Sequence, residues 1–153
     1  MIVLSHDSFP QLIPMTYLLD TCLISETITK QPNQQVLNWL DAQLAETLYL
    51  SVITIGEIAK GIYKLPISKR KESLTKWLNE SLPHRFENRI LGLDIATMVL
   101  WGNLVAELEQ NGRPLPAMDS LIAATALKNS LTLVTRNEKD FIGTKVVIIN
   151  PWN

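Results

Sequence analysis

Cysteine and histidine are scarce in this chain of 153 residues, which contains one of the former and two of the latter. Cys22 has no second cysteine with which to form an internal disulfide or a paired metal site. This pattern excludes a disulfide-rich secreted scaffold and fits a reducing cytosol. The histidines are His6, near the start of the chain, and His84, which stands beside Pro83. The chemistry of the chain is therefore expected to use other side chains.

An excess of charge of one sign and long apolar runs are also missing. Lys and Arg together number 14 and Asp and Glu 15, so no strong overall field attracts polyanions or anionic membranes, and any nucleic-acid contact must be local. No apolar run approaches the roughly 20 residues of a membrane span, and the first residues lack the features of a signal peptide. Neither a P-loop nor a Gly-x-Gly-x-x-Gly run occurs, which disfavours a nucleotide-binding protein. We expect a soluble, cytoplasmic protein.

The length and the hydrophobic content of 46% suffice for one domain with one core. Residues 1 to 14 contain a short apolar stretch and two prolines, and Met15 then opens the first pattern typical of a strand. We expect residues 15 to 153 to form the domain. Residues 1 to 14 are interpreted as a loose tail or as the product of an upstream start codon.

Short apolar runs alternate with segments of helical period from Thr16 onward. The runs are apolar nearly throughout, as in strands that are covered on both faces. Strands are predicted at 17–19, 48–53, 90–93, 131–135 and 146–149, and helices at 36–48, 58–65, 74–82, 96–108 and 116–129. This alternation predicts an α/β fold with a central, mainly parallel sheet of about five strands and helices on both sides.

Two acidic residues stand where such a sheet binds ligands, beyond the carboxyl ends of its strands. Asp20 directly follows the first strand, and Thr21 beside it could support a metal-bound water or a phosphate oxygen. The alternative is that Asp20 only caps the next helix. Glu57 is predicted near the first turn of the helix after the second strand. It could be an ordinary surface glutamate there, but its isoleucine neighbours argue for a buried carboxylate that needs a partner.

Two further acids are candidates for the same site. Asp119 opens a helix of small and apolar residues, where a favourable interaction with the helix dipole is the alternative explanation. Asp140 follows the strand at 131–135 in a polar cluster that also contains Asn137, and an ordinary polar loop is the alternative there. Asp94 also ends a strand, but the residues after it favour a helix N-cap.

Clustered carboxylates repel one another and raise each other's pKa unless a cation neutralises them. Mg²⁺ and Mn²⁺ are hard cations that suit oxygen ligands, and Mg²⁺ keeps several waters when one or two carboxylates bind it. A metal-bound water can attack phosphorus while the ion stabilises charge on the phosphoryl oxygens. The pattern therefore predicts phosphoryl chemistry that needs no serine, cysteine or histidine nucleophile.

Four segments in order, together with the end of the chain, resemble PIN-domain proteins. The ending resembles that of the VapC/FitB branch, the toxins of type II toxin–antitoxin modules. The segments are Tyr17-Leu18-Leu19-Asp20-Thr21, the run from Ser51 to Ile58, the run from Asp119 to Ala126, Thr135-Arg136-Asn137 with Asp140-Phe141, and the closing Asn150-Pro151-Trp152.

The resemblance implies a single PIN-like domain and a homodimeric endoribonuclease that depends on Mg²⁺ or Mn²⁺. It also implies an antitoxin, whose C-terminal segment blocks the site while its N-terminal part binds operator DNA. Asp20 and Asp119 carry over as metal ligands, and Glu57 as a third acid of the site. Members of the family differ at the fourth place, for which Asp140 is the candidate acid and Asn137 a polar support that could share or take the role.

RNA would be bound by local groups, for which Thr21, Thr135 and Arg136 are the candidates closest to the acids. Other cations, of which several could simply form a solvated helix face, are Lys60, Lys64, Lys69, Arg70, Lys71 and Arg113. Two other functions compete with an RNA-cutting toxin. One is a catalytically silent PIN-like module that binds RNA or protein. The other, a phosphatase of the haloacid-dehalogenase type, is disfavoured because Cys22 stands where its second aspartate would be.

Overall fold

The fold was obtained as a computed structural model that describes residues 14 to 153. All five strands form one parallel sheet in the order β3-β2-β1-β4-β5, so β1 lies at its centre. The strands are β1 (Tyr17–Leu19), β2 (Leu48–Ser51), β3 (Ile90–Leu91), β4 (Thr132–Val134) and β5 (Ile148–Ile149). The predicted parallel sheet of about five strands is confirmed, whereas the interpretation of residues 1 to 13 lies outside the described residues.

Seven α-helices connect and cover these strands. They are α1 (Thr21–Ile28), α2 (Gln34–Asp41), α3 (Val52–Tyr63), α4 (Lys69–Lys76), α5 (Leu82–Arg85), α6 (Ile95–Gln110) and α7 (Ala117–Lys128). A π-helical segment, Trp77–Ser81, joins α4 to α5, and short 3₁₀ turns lie at Ala45–Thr47 and Glu138–Phe141. None of the helices within residues 14 to 153 combines the length and the apolar content needed to cross a bilayer.

The sheet separates two apolar cores, because successive side chains of a strand point to opposite faces. Tyr17 and Leu19 of β1 pack with residues of α1, α2, α3 and α5 on one face. Leu18, between them, packs with α6 and α7 on the other. Leu18 and Leu19 are both fully buried, so β1 is apolar throughout because it is covered on both sides.

Side-chain caps fix where several helices begin. Ser51 Oγ accepts a hydrogen bond from the backbone N of Ile53 at 3.1 Å and thereby begins α3 directly after β2. Asp94 Oδ1 accepts from the backbone N of Thr97 at 2.8 Å and caps α6, which confirms the N-cap interpretation of Asp94.

Element boundaries differ from the predicted ones at several places, including the ends of β3, β4 and β5 and both ends of α3. The second strand ends at Ser51, and Val52 and Ile53 belong to α3, because the Ser51 cap ends the strand inside an apolar run whose composition suits either structure. Glu57 is therefore the sixth residue of α3 and lies in its second turn, rather than near its first. The helix predicted over 36–48 ends at Asp41, and a 3₁₀ turn and β2 follow.

Candidate active site

Asp20 lies at the carboxyl end of the central strand and is 5% exposed. Its Oδ1 accepts a hydrogen bond from the backbone N of Thr21 at 2.8 Å, and its Oδ2 accepts one from the Thr135 hydroxyl at 2.8 Å. Burial raises the pKa of Asp20 above 3.8, and the charge of Glu57 adds to this, while the two hydrogen bonds act against it. Asp20 is therefore both the cap of α1 and a buried carboxylate of the candidate site.

Glu57 is connected to the end of β1 by a hydrogen bond from Thr21. The Thr21 hydroxyl donates to Glu57 Oε1 at 2.6 Å and lies 3.1 Å from the hydroxyl of Thr54. Thr54 is buried and stands three residues before Glu57, on the same side of α3. A partner was predicted for the Glu57 carboxylate. The structure provides the Thr21 hydroxyl, which orients the carboxylate and itself lies beside the hydroxyl of Thr54. Thr54 was not predicted, although its spacing from Glu57 was a usable signal.

Asp119 lies in the first turn of α7 and faces the other acids. Its pKa is raised from 3.8 to about 6, first by burial and then by the negative charges of Asp20, Asp140 and Glu57. These carboxylates are thus close enough to repel the charge on Asp119. The four predicted acids converge on one region at the carboxyl end of the sheet.

Asp140 lies on the exposed 3₁₀ turn after β4, and its backbone N donates to the carbonyl of Asn137 at 3.0 Å. The side chain of Asn137 is exposed. Its backbone N donates to the Thr135 hydroxyl at 3.0 Å, which ties the turn to the residue that holds Asp20. The charge of Asp140 contributes to the raised pKa of Asp119, so this carboxylate lies near enough to Asp119 to belong to the same cluster of acids.

Thr135, which was predicted to contact substrate, is fully buried, and its hydroxyl is engaged by Asp20 and by the backbone of Asn137. These contacts suit a residue that positions Asp20 better than one that binds RNA directly. Cys22 shares this environment, with its Sγ 3.8 Å from Asp20 Oδ2 and 3.6 Å from Thr135 Oγ1. Burial and the charge of Asp20 raise the pKa of the Cys22 thiol, which disfavours a thiolate nucleophile.

Arg136 is exposed and directly follows Thr135, whose hydroxyl holds Asp20. Its guanidinium carbon is 4.9 Å from the centre of the Trp152 ring, within the range of a cation–π contact. The side-chain amide of Asn150 donates to the Arg136 carbonyl at 3.4 Å. The closing Asn150-Pro151-Trp152 segment therefore packs against the loop that carries Thr135 and Arg136.

The donor set of this region suits a hard divalent cation, since it consists of carboxylate and hydroxyl oxygens. Within residues 14 to 153, no three or more His, Cys, Asp or Glu side chains form a group that could by itself hold a metal ion. Mg²⁺ needs only one or two carboxylates when waters complete its coordination. Burial, and then the negative charges of Asp20, Asp140 and Glu57, raise the pKa of Asp119, and a bound cation would counteract both causes.

A cavity of about 400 Å³ adjoins the acids on the α3 side. It is lined by Val52, Ile53, Gly56, Glu57, Lys60 and Met118. Val52 and Met118 are 40% and 50% exposed, so the opening combines an apolar rim with one cation and one carboxylate. Lys71 does not present a free ammonium group for RNA. Its ammonium group donates to the carbonyls of Tyr63 and Leu65 at the end of α3.

Known proteins are similar to this chain in sequence and in fold. Toxin FitB of Neisseria gonorrhoeae is 38% identical over 136 residues, which cover 89% of this chain and 98% of FitB. The VapC ribonuclease Y4jK of Sinorhizobium fredii is 35% identical over 135 residues, or 88% of this chain and 96% of the relative. A solved structure of FitAB bound to an IR36 DNA fragment superposes with a TM-score of 0.85 at 36% identity, covering 90% of this chain and 96% of that one.

The family model of the PIN domain matches residues 17 to 145, a span that runs from the first residue of β1 past Asp140. Together with these relatives, the match shows that the chain belongs to the PIN-domain family.

Proposed function

We propose that this protein is an endoribonuclease that hydrolyses RNA phosphodiester bonds and acts as the toxin of a type II toxin–antitoxin module. The observation that carries the proposal is the convergence of Asp20, Glu57, Asp119 and Asp140 at the carboxyl end of the sheet. The names of the relatives support it, since one is a toxin and another a ribonuclease.

Asp20 and Asp119, with Glu57 as a third acid, are the residues that would hold Mg²⁺ or Mn²⁺. When bound, such an ion acidifies a water and stabilises charge on the phosphoryl oxygens. The remaining roles belong to the chain itself. Thr135 fixes the orientation of Asp20, and Thr21 fixes that of Glu57. The exposed guanidinium of Arg136 is suited to bind a phosphate of the substrate.

The test is cleavage of RNA by purified protein that is free of antitoxin, with Mg²⁺ or Mn²⁺ and after their removal by EDTA. We expect metal-dependent cleavage that Asp20→Asn or Asp119→Asn abolishes without unfolding the protein. Asp94→Asn is the matched control, because Asn caps helices as well as Asp and Asp94 is committed to α6. The proposal fails if wild-type protein cuts no RNA with either metal and the two site variants remain as toxic as wild type.

A catalytically silent module that binds RNA or protein is the competing function. Calorimetry with Mn²⁺ separates the two functions, because a silent module has no need to bind metal. Binding of Mn²⁺ that is lost in Asp20→Asn supports the enzyme, and the absence of binding in wild type supports the silent module.

We also propose an antitoxin partner that binds the toxin and connects it to operator DNA, by analogy with FitAB bound to DNA. The chain is expected to form a homodimer in the cytoplasm. Apolar side chains on α6 support such contacts, since Ile95 is 85% and Val99 59% exposed. Light scattering of the isolated chain tests the dimer. Co-purification with the product of the neighbouring reading frame tests the antitoxin.

A further inference from the structure

A cleft of about 270 Å³ adjoins Asp140 at the edge of the acid cluster. It is formed by the segment between α6 and α7 and by the 3₁₀ turn that carries Asp140. Its lining includes two cations, Arg113 and Lys139, two apolar side chains, Leu115 and Ile142, and Asp140 itself. It therefore combines positive charge and an apolar floor beside the carboxylates.

Arg113 is presented on a firm support. The backbone N of Arg113 donates to the carbonyl of Leu108 at 2.8 Å, which anchors the residue to the end of α6. Its Cδ lies against Gly143, 3.5 Å from where a Cβ would stand, and Gly143 has a φ of +90° that favours glycine. Both Arg113 and Lys139 are exposed.

Asp140 connects this cleft to the candidate active site. The same carboxylate lines the cleft and contributes to the raised pKa of Asp119. On the α3 side of the acids, the cavity that contains Glu57 and Lys60 forms a second opening. A polynucleotide whose scissile phosphate lies at the carboxylates would thus have two openings with cations next to the reaction centre.

We propose that the cleft between the α6–α7 segment and the 3₁₀ turn is an RNA-backbone subsite, in which Arg113 and Lys139 bind a phosphate next to the scissile one. This inference rests on the proposed ribonuclease function. The guanidinium group presents a fork of donors that matches a phosphate, and a phosphate contact fixes the register of the strand without reading its sequence. Leu115 and Ile142 provide the apolar surface against which the adjacent nucleotide packs.

The charge pattern favours RNA over an acidic protein segment as the occupant. A segment of Glu and Asp residues would place its carboxylates on Arg113 and Lys139 beside Asp140, but it has no phosphodiester for the acids to act on. A phosphodiester strand places one phosphate on the cations and the scissile phosphate at the metal-binding acids, so it uses both the cleft and the candidate active site. The acidic segment remains an outcome that the experiment can detect, with polyglutamate as its probe.

The experiment measures binding of a fluorescein-labelled, single-stranded oligoribonucleotide by anisotropy, with Mg²⁺ present and Asp119→Asn as the background that prevents cleavage. Arg113→Met keeps the aliphatic stem on Gly143 and removes the charge, and Lys139→Ala removes the other cation. We expect each change to weaken binding about tenfold. The slope of log K against log salt should become shallower by about 0.7 for each phosphate that the variant no longer binds.

Lys128→Ala is the matched control. It also removes one positive charge, but Lys128 lies in the last turn of α7, whereas Asp119 lies in the first. It should change affinity less than about twofold, through long-range charge alone. If Arg113→Met and Lys139→Ala behave like Lys128→Ala, the subsite is refuted. Arg113→Lys keeps the positive charge and should retain most of the affinity. That result would show that the loss in Arg113→Met comes from the missing charge and not from a change in folding.

Cleavage kinetics then separate this inference from the proposed function. In the otherwise wild-type protein, the two substitutions should raise KM and leave kcat within about threefold. Normal cleavage with unchanged KM in both variants overturns the subsite and leaves the ribonuclease intact. If the wild-type protein cuts no RNA but its RNA binding still depends on Arg113, the ribonuclease function is refuted and the subsite is retained. Weakened binding of polyglutamate alone, with RNA binding unchanged, would assign the cleft to a protein partner and overturn the proposal.

Discussion

Asp20 is fixed in place by local hydrogen bonds, although burial of its carboxylate is unfavourable. A carboxylate that is 5% exposed is unfavourable in a core unless hydrogen bonds or a cation compensate it. Two hydrogen bonds, from Thr21 and Thr135, compensate part of that cost, but the effect of burial is larger and the pKa of Asp20 stays raised. Residues that carry such uncompensated charge are typical of functional sites.

Thr135→Val removes one of these hydrogen bonds and keeps the shape of the side chain. We expect affinity for Mn²⁺ and the rate of RNA cleavage each to fall about 10- to 100-fold, the range found for groups that orient metal ligands. Because the Thr135 hydroxyl lowers the pKa of Asp20, the pH at which cleavage reaches half its maximum should move upward in the variant. Calorimetry with Mn²⁺ and a pH profile of kcat provide the measurements.

Thr135→Ser is the control for that prediction, since it restores the hydroxyl with a smaller side chain. Rescue by Ser and not by Val would establish the positioning role. Equal losses in the two variants, or a Val variant with wild-type metal affinity, would show that the contact between Thr135 and Asp20 has no part in the function.

Asp119 makes stability depend on pH in the absence of metal. Its pKa in the folded protein, about 6, lies above its ordinary value of 3.8, so the folded state holds the proton more tightly than the unfolded state does. The stabilisation is present below about pH 4 and is lost as pH rises through about 6. Because Asp119 is partly exposed, we expect this loss to be about 1 kcal/mol after solvent screening.

Asp119→Asn removes this dependence. In EDTA at pH 7.5 the variant should melt about 3 °C above the wild type, and the difference should vanish near pH 4. Differential scanning calorimetry at the two pH values measures the change. A variant that is less stable than wild type at pH 7.5 would mean that Asp119 is not under charge repulsion in the folded protein.

At the scale of elements, the start of α3 connects sheet geometry to the site. Ser51 ends β2 and caps α3, and this start sets the helical phase that brings Thr54 and Glu57 to face Thr21. Ser51→Ala should lower the free energy of unfolding by about 1 kcal/mol, the usual cost of a lost N-cap. It should also lower kcat, because Glu57 loses its fixed position.

Ser68→Ala is the matched control, since Ser68 caps α4 in the same way through the backbone N of Lys71. Urea unfolding of the two variants should give similar losses of stability, whereas only Ser51→Ala should reduce RNA cleavage. Equal effects of the two changes on kcat would mean that the start of α3 acts only through overall stability.

The sequence predicted most elements because their patterns are strong over many residues. All five strands and the capping role of Asp94 follow from apolar runs and a polar residue at the right end. The predicted boundary between β2 and α3 was wrong. Val52 and Ile53 are apolar and suit a strand or a helix equally, and only the hydrogen bond of the Ser51 side chain determines where the helix begins. The hydrogen bond of Thr135 could not be foreseen either, since its partner Asp20 lies 115 residues away in the chain.

At the scale of the whole molecule, the order of the sheet is what gathers the site. β1 lies between β2 and β4, so the residues that follow these three strands meet although they are far apart in sequence. The alternating pattern predicted a parallel sheet and the end at which ligands bind. It could not predict the strand order, nor that the hydroxyls of Thr21 and Thr135 would be used within the protein.

The unit that folds can be tested by truncation. The family match begins at residue 17 and β1 at Tyr17, so we propose that residues 15 to 153 form the functional domain. Deletion of residues 1 to 14 should change the melting temperature by less than about 2 °C and leave kcat/KM for RNA unchanged. Deletion through Leu19 is the contrasting variant and should not fold, because it removes the central strand and the buried Leu18 and Leu19. A shorter deletion that already abolishes folding or cleavage would place part of residues 1 to 14 within the domain, since loose terminal segments tolerate removal and packed ones do not.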